Sequence, residues 1–164
     1  AEWKGFSDMA KAVAIARKQL PHIEIVWSVY GDALLPPQNS IANYHPLGFL
    51  STNKLAEEYS KNDILLSASW YESFPLFPIE AMACGLGVIT TQYGTEDYAV
   101  HGENCLIVEP QNPSSIASGI VSLATDPGLL SKLRARASAD AMHFNWINAS
   151  NKMESVLQSI ANEE

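Results

Sequence analysis

The chain has 164 residues, a length that suits one domain, with 47% hydrophobic and 17% charged residues, an ordinary globular balance able to bury a core. Its net charge of −8, from 18 acidic against 10 basic residues, excludes a general nucleic-acid or anionic-membrane binder but leaves room for an anionic small ligand held by local donors. No apolar run approaches the ~18 residues of a membrane span and no signal peptide opens the sequence, so the default expectation is a cytoplasmic protein.

In chain order, residues 8–20 are predicted as a helix. Met9, Ala12, Val13, Ala16 and Leu20 make one apolar stripe with Lys11, Arg17 and Lys18 off it, Ser7 can cap it, and Pro21 helps to stop it. "IEIVWSV" alternates from Ile23 to Val29 and predicts a strand. "GDALLPPQNS" is a loop, because Gly31 and the Pro36–Pro37 pair break regular structure. A short strand near 44–49 and a helix from Ser51 to about Lys61 follow. "DILLSAS" is an apolar run that suits a strand buried on both faces. Residues 79–85 form a predicted helix of small side chains. "GVITT" is the next strand, 95–101 a helical turn, and "NCLIVEP" another short strand. Asn112 before Pro113 reads as a cap followed by proline at the first helical position, with Ile116, Ile120 and Leu123 on the buried face. "DPG" at 126–128 reads as a turn, 129–137 as a helix, and "HFNW" as the lead into a last helix with Met153, Val156, Leu157 and Ile160 on one face and Trp146 as its packing anchor. Alternating strands and helices predict an α/β domain with a mainly parallel sheet and helices on both faces.

Cys84 and Cys105 make no disulfide framework, and His22, His45, His101 and His143 show no metal-ligand spacing, so no metal site is expected. "CGLG" at 84–87 imitates part of a dinucleotide fingerprint but precedes a strand instead of joining a strand to a helix. "NAS" at 148–150 is a glycosylation sequon, which matters only in a secreted protein.

The chemistry concentrates in "YESFPLFPIEAMACG", residues 71–85, where Glu72 and Glu80 flank seven uncharged residues with two aromatics and two prolines. In an open parallel sheet, ligands sit outside the carboxyl ends of the strands. The stretch follows a predicted strand and leads into a helix, so both acids are expected at that edge, with Glu80 opening the helix. A helix N-terminus attracts phosphate, and carboxylates beside it can accept bonds from sugar hydroxyls. On the residues alone, a capping Glu80 with a solvated Glu72 stands beside this functional reading.

"ESFPLFPIEAMACG", with "NDILLSASW" before it and "LGVITTQYGTEDYAVHGENCLIVEPQNP" after it, resembles the donor-binding half of retaining GT-B glycosyltransferases of the group 1 type. "WKGFSDM" at 3–9 and the "HFNW" signal extend the likeness over nearly the whole chain. The resemblance implies a Rossmann-like doubly wound fold, the C-terminal half of GT-B, with residues 1–164 as one nucleotide-sugar-binding domain. It implies transfer of a hexosyl group from a nucleotide-diphosphate sugar to a glycan or lipid acceptor in polysaccharide or glycoconjugate synthesis, without cofactor or metal. Glu72 and Lys4 take the catalytic roles, Lys4 neutralising the leaving diphosphate. Glu80 binds the ribose, and Ser73, Phe74, Pro75 and Leu76 form the loop that holds sugar and diphosphate. Gly31 and Gly48 lie at the base. Many relatives carry glycine where Pro75 stands, which removes one N–H donor here.

The partners implied are the nucleotide-sugar and an N-terminal acceptor domain, to which any membrane contact falls; alone, this half is expected to bind nucleotide weakly and transfer nothing. The resemblance also places a strand immediately before Lys4, in mid-sheet, and without it the sheet should show a gap where another chain could pair. A non-catalytic nucleotide- or phosphate-binding module, or a GT-B relative such as an epimerase, stays open. A phosphorylation receiver does not fit, because Asp63 precedes its strand.

Overall fold

A computed structural model describes residues 2–31 and 40–162. The loop expected around Pro36 and Pro37 lies outside the described residues. After a 3-10 turn at Glu2–Lys4, the order is α1 (Phe6–Gln19), β1 (Ser28–Tyr30), β2 (His45–Gly48), α2 (Thr52–Ser60), β3 (Ile64–Ser67), α3 (Leu76–Ala83), β4 (Gly87–Thr90), β5 (Leu106–Ile107), α4 (Pro113–Thr125), α5 (Pro127–Ala141) and α6 (Trp146–Ala161). Every strand pair is parallel, as the alternation of elements predicts. None of the described helices is long and apolar enough to cross a membrane.

Strand alternation divides the interior into two packed layers. On one face of the sheet, Ile89 and Leu106 meet Ala12, Val13 and Ala16 of α1 and Ile116, Ile120 and Leu123 of α4. On the other, Val88 meets Leu55 and Tyr59 of α2, Ile79 and Met82 of α3, and Ala137 and Ala141 of α5. Neighbours along β4 face opposite layers because a strand's side chains alternate, so all four β4 residues are buried.

The sheet is divided. β1 pairs with β2, and β3, β4 and β5 form a separate sheet. Between the free edges of β1 and β3 lies a cavity of about 680 Å³ lined by Val26–Tyr30 and Ile64–Ser67, with Met9, Leu55, Tyr59 and Leu86 above and below. Among the described residues no strand joins the two sheets, so a gap stands between them where one was expected in mid-sheet. It explains two departures from the sequence reading. The strand predicted over 23–29 shrinks to three residues, because the ladder has a partner on one side alone; the carbonyl of Ile25 is bonded by the Arg17 guanidinium at 2.8 and 3.0 Å instead. β3, expected to be buried on both faces, is half-buried along its length.

The ends of several helices differ from expectation for local reasons. α1 is capped by Gly5 and not Ser7, which lies inside the helix. Asp126, expected in a turn, caps α5 by accepting from the Leu129 amide at 2.8 Å, with Pro127 at the first helical position. That repeats the chemistry seen at α4, where the Asn112 side chain accepts from Ser114 and Ser115. Trp146 is no anchor: it is 88% exposed, and Met153, Val156, Leu157 and Ile160 of α6 are exposed with it.

Candidate functional site

The site begins where β3 runs out. The chain continues through buried Ala68 and Ser69 to Trp70, and three contacts bring the first residues of the protein against it. Gly5 adopts φ +70° and lies so close to Ala68 that a Cβ would overlap its carbonyl oxygen. The Trp70 amide donates to the Trp3 carbonyl at 2.7 Å. The Trp70 indole donates to Asp8 Oδ2 at 2.8 Å, which accounts for an acid buried in the first turn of α1.

These contacts place Lys4 beside Glu72. Lys4 Nζ donates to Glu72 Oε1 at 2.6 Å, with the lysine half exposed and the glutamate largely covered. Trp3 and Tyr71, the residues preceding each, stack with centroids 6.2 Å apart. Two residues far apart in sequence therefore meet as an ion pair at the carboxyl edge of β3, where parallel sheets take ligands.

Beyond Glu72 the loop runs to Pro75, which precedes α3 without any side-chain cap bond. Leu76 and Phe77 therefore leave first-turn amides for an outside acceptor, while Pro75 and Pro78 have none to offer. The helix starts three residues earlier than predicted. Proline in a first turn costs little because amides there lack intrahelical partners, so Pro78 does not delay the helix. Glu80 consequently sits in the second turn and does not open the helix. It stands near Tyr30 and Tyr59: burial first, with the Glu80 carboxylate adding to it, pushes the Tyr59 phenol up to about 12, and the Tyr30 phenol also moves upward, again through burial first.

Lys4, Glu72, Gly31 and Pro75 line the mouth of the cavity between the sheets, together with Ser69 and Phe77. Gly31 donates its amide to the Gly48 carbonyl at 3.0 Å, so Gly48 borders the mouth through Gly31. Glu80, Ser73, Phe74, Leu76 and Gly48 are not among the lining residues. Phe77, absent from the sequence-derived set, packs edge-on against Tyr30 at 5.3 Å beside the mouth. Phe74 turns away into an aromatic group with Tyr98 and Phe144. The arrangement offers one ammonium, one carboxylate and a helix N-terminus at a single opening, a combination that can bind a phosphate and a hydroxylated ring together.

Sequence reasoning also missed Gly94 and Tyr98, which hold the loop from its far side. Gly94 has φ +82°, and a Cβ there would overlap the Glu72 carbonyl. Tyr98 donates its hydroxyl to the Pro75 carbonyl at 3.0 Å. The available signal was a glycine between polar residues after a strand, in "QYGTED".

The sequence profile of a family described as Glycosyl transferases group 1 matches residues 1–126. A D-inositol 3-phosphate glycosyltransferase from Rhodococcus jostii is 34% identical over 119 residues, covering 70% of this chain and 26% of the relative. One from Streptomyces bingchenggensis is 38% identical over 98 residues, covering 59% and 22%. Among solved structures, Anabaena Alr3699/HepE in complex with UDP superposes with a TM-score of 0.82 at 22% identity, over 97% of this chain and 46% of that one. The C-terminal domain of a glycosyl transferase group 1 family protein (LpcC) from Francisella tularensis gives 0.72 at 24% identity, over 88% and 80%. The chain spans about a quarter of the length of these curated relatives.

Proposed function

Because the chain belongs to the glycosyl transferases group 1 family, we propose that it is the nucleotide-sugar-binding half of a retaining hexosyltransferase whose acceptor is bound by a separate N-terminal domain. Its α/β fold is that of a GT-B half. One observation carries the assignment of roles: the 2.6 Å Lys4–Glu72 pair stands at the mouth beside the N-terminus of α3. A donor diphosphate would lie between the Lys4 ammonium and the Leu76 and Phe77 amides. These donors are in place before charge develops on the leaving group, so stabilising it needs no reorganisation. Glu72 holds the lysine in position and is the acid nearest the transferred sugar.

The bond from the anomeric carbon to the diphosphate breaks, and a bond to the acceptor oxygen forms on the same face. The acceptor's proton passes to the leaving phosphate oxygen. Glu80 binds the ribose from the second turn of α3, and Gly31 and Gly48 bound the base. The complexes of HepE with UDP and UDP-glucose make uridine nucleotides the first probes to try.

Calorimetry with UDP-glucose, GDP-mannose and dTDP-glucose tests this reading. One of them should bind this chain weakly, and Glu80→Ala should weaken that binding about tenfold, the loss of one charged hydrogen bond. In the intact enzyme Glu72→Ala should depress kcat far more than donor affinity. Normal kinetics in the Glu72 variant would remove it from the catalytic role.

A further inference from the structure

The Glu72–Pro75 loop has no regular structure of its own, yet both of its ends are gripped by one segment, Thr91–Asn104. At one end the backbone of Gly94 lies against the Glu72 carbonyl, leaving no room for a side chain. At the other, Tyr98 is 5% exposed and spends its hydroxyl on the Pro75 carbonyl at 3.0 Å. Proline fixes φ, here −70°, so ψ is the torsion left to decide where that carbonyl points. A hydrogen bond to the carbonyl holds ψ, and ψ sets the direction in which the first turn of α3 leaves the loop.

The gripping segment is itself tied down. Asn104, 1% exposed, donates to the Tyr98 carbonyl at 2.8 Å and to Asp140 of α5 at 2.9 Å, and its Oδ1 accepts from the Val100 amide at 2.8 Å. Thr91 donates to the Ser69 carbonyl and Thr95 to the Thr91 carbonyl, both at 2.7 Å. The Tyr98 ring is seated edge-on against Phe74 and Phe144, at 5.6 and 6.0 Å. Burial above all moves its phenol upward from the ordinary tyrosine range, so the hydroxyl remains a donor.

We infer that Tyr98 is a positioning residue for the donor site: with Gly94 it forms a clamp, anchored through Asn104 to α5, that fixes the loop bearing Glu72 and aims the N-terminus of α3. This rests on the donor-binding reading of that loop. Ring packing alone would give the same burial, so the discriminating variant is Tyr98→Phe, which keeps the ring and removes the one bond.

Amide hydrogen exchange and calorimetry with UDP are measured on the wild-type chain, Tyr98→Phe and Gly94→Ala. Loss of one neutral hydrogen bond predicts that Ile79 and Glu80, at the start of α3, exchange roughly three- to tenfold faster in Tyr98→Phe. The amides of α5 should keep their wild-type rates, and the dissociation constant for UDP should rise by a similar factor. Gly94→Ala should disturb the same amides from the other end of the loop. Unchanged exchange at Ile79 and Glu80 in Tyr98→Phe overturns the clamp, whatever UDP does. Faster exchange with UDP affinity intact overturns its role in donor binding. A wild-type chain that binds no UDP counts against uridine nucleotide as the donor, and the exchange result then decides the clamp by itself.

Discussion

Filling the space between the two sheets should stabilise this protein more than any single substitution. Among the described residues, β1 and β3 each have one unpaired edge, and both edges face the same cavity, whose walls are mostly apolar. The chain already reaches the top of that space, where the Trp70 amide bonds to the Trp3 carbonyl. An N-terminal extension that ran through this space up to Trp3 would lie parallel to both strands. Four residues, alternating isoleucine and valine, match the length of β3. Burying four β-branched side chains contributes roughly 8 kcal/mol. About six ladder hydrogen bonds add roughly 6 kcal/mol net. Ordering four residues costs roughly 10 kcal/mol in backbone and side-chain entropy. The balance is about 4 kcal/mol in favour of the extended chain, or roughly 8–16 °C in melting temperature for a protein of this size. The control carries proline at two of the four positions, which removes ladder donors at the same length. Calorimetric melting of the two chains, with amide exchange at Tyr30 and Leu66, whose amides alternate with the laddered ones and face the gap, is the assay. Equal melting temperatures for the apolar and proline extensions would refute the reasoning, as would unchanged exchange at those two amides.

Asn104→Ala should destabilise by about 3 kcal/mol, because it leaves the buried Tyr98 carbonyl and the partly buried Val100 amide without that partner; a melting temperature within about 2 °C of wild type would contradict this. Burial pushes the Cys105 thiol up to about 12, so at pH 8 a thiol reagent should titrate exposed Cys84 and reach Cys105 at the rate of unfolding. The same shifts make stability fall as pH rises above about 9. The unfolded thiol and phenols ionise there, while folded Cys105 and Tyr59, both pushed up to about 12, keep their protons. Denaturant midpoints at pH 8 and 10.5 check the sign. The joint change Met153→Ser and Leu157→Ser should shift the melting temperature by less than about 2 °C, since both side chains are already exposed on α6.

Features fixed by neighbouring residues could be read from the sequence. Asn112 with Pro113 makes a cap from adjacent atoms, and the structure contains that cap. Asp126 with Pro127 makes the same cap, but Gly128 after it suggested a turn, and local chemistry alone did not separate the two. Features that depend on a distant partner could not be read. The alternation from Ile23 to Val29 describes a chain able to form a strand, but a ladder extends only where a neighbour exists. The apolar periodicity of α6 says which side chains share a face and nothing about what covers them. For the candidate site, "E-x7-E" pointed to the loop after β3, and the structure pairs Lys4 with Glu72 there. Tyr98 and Gly94 lie some twenty residues on, and their relation to Pro75 and Glu72 exists only once β3 and β4 are side by side.

The charged pair at the centre of the site is held in place by its surroundings and does not hold them. Lys4 is half exposed, and an ion pair open to solvent contributes at most about 1 kcal/mol to stability. The bonds that set its geometry are mostly neutral and better covered: Thr91 to Ser69, Tyr98 to Pro75, the Trp70 amide to Trp3, and the Trp70 indole to Asp8. Two backbones packed too closely for a Cβ, at Gly5 and Gly94, add to them. They grip the loop from α1 on one side and from the segment after β4 on the other. An ammonium and a carboxylate that contribute little to folding remain free to exchange partners when an anion enters. On the proposed reading, diphosphate oxygens would take the lysine's remaining donors while Glu72 keeps one. The loop need not move for this, because its position was never set by the charges.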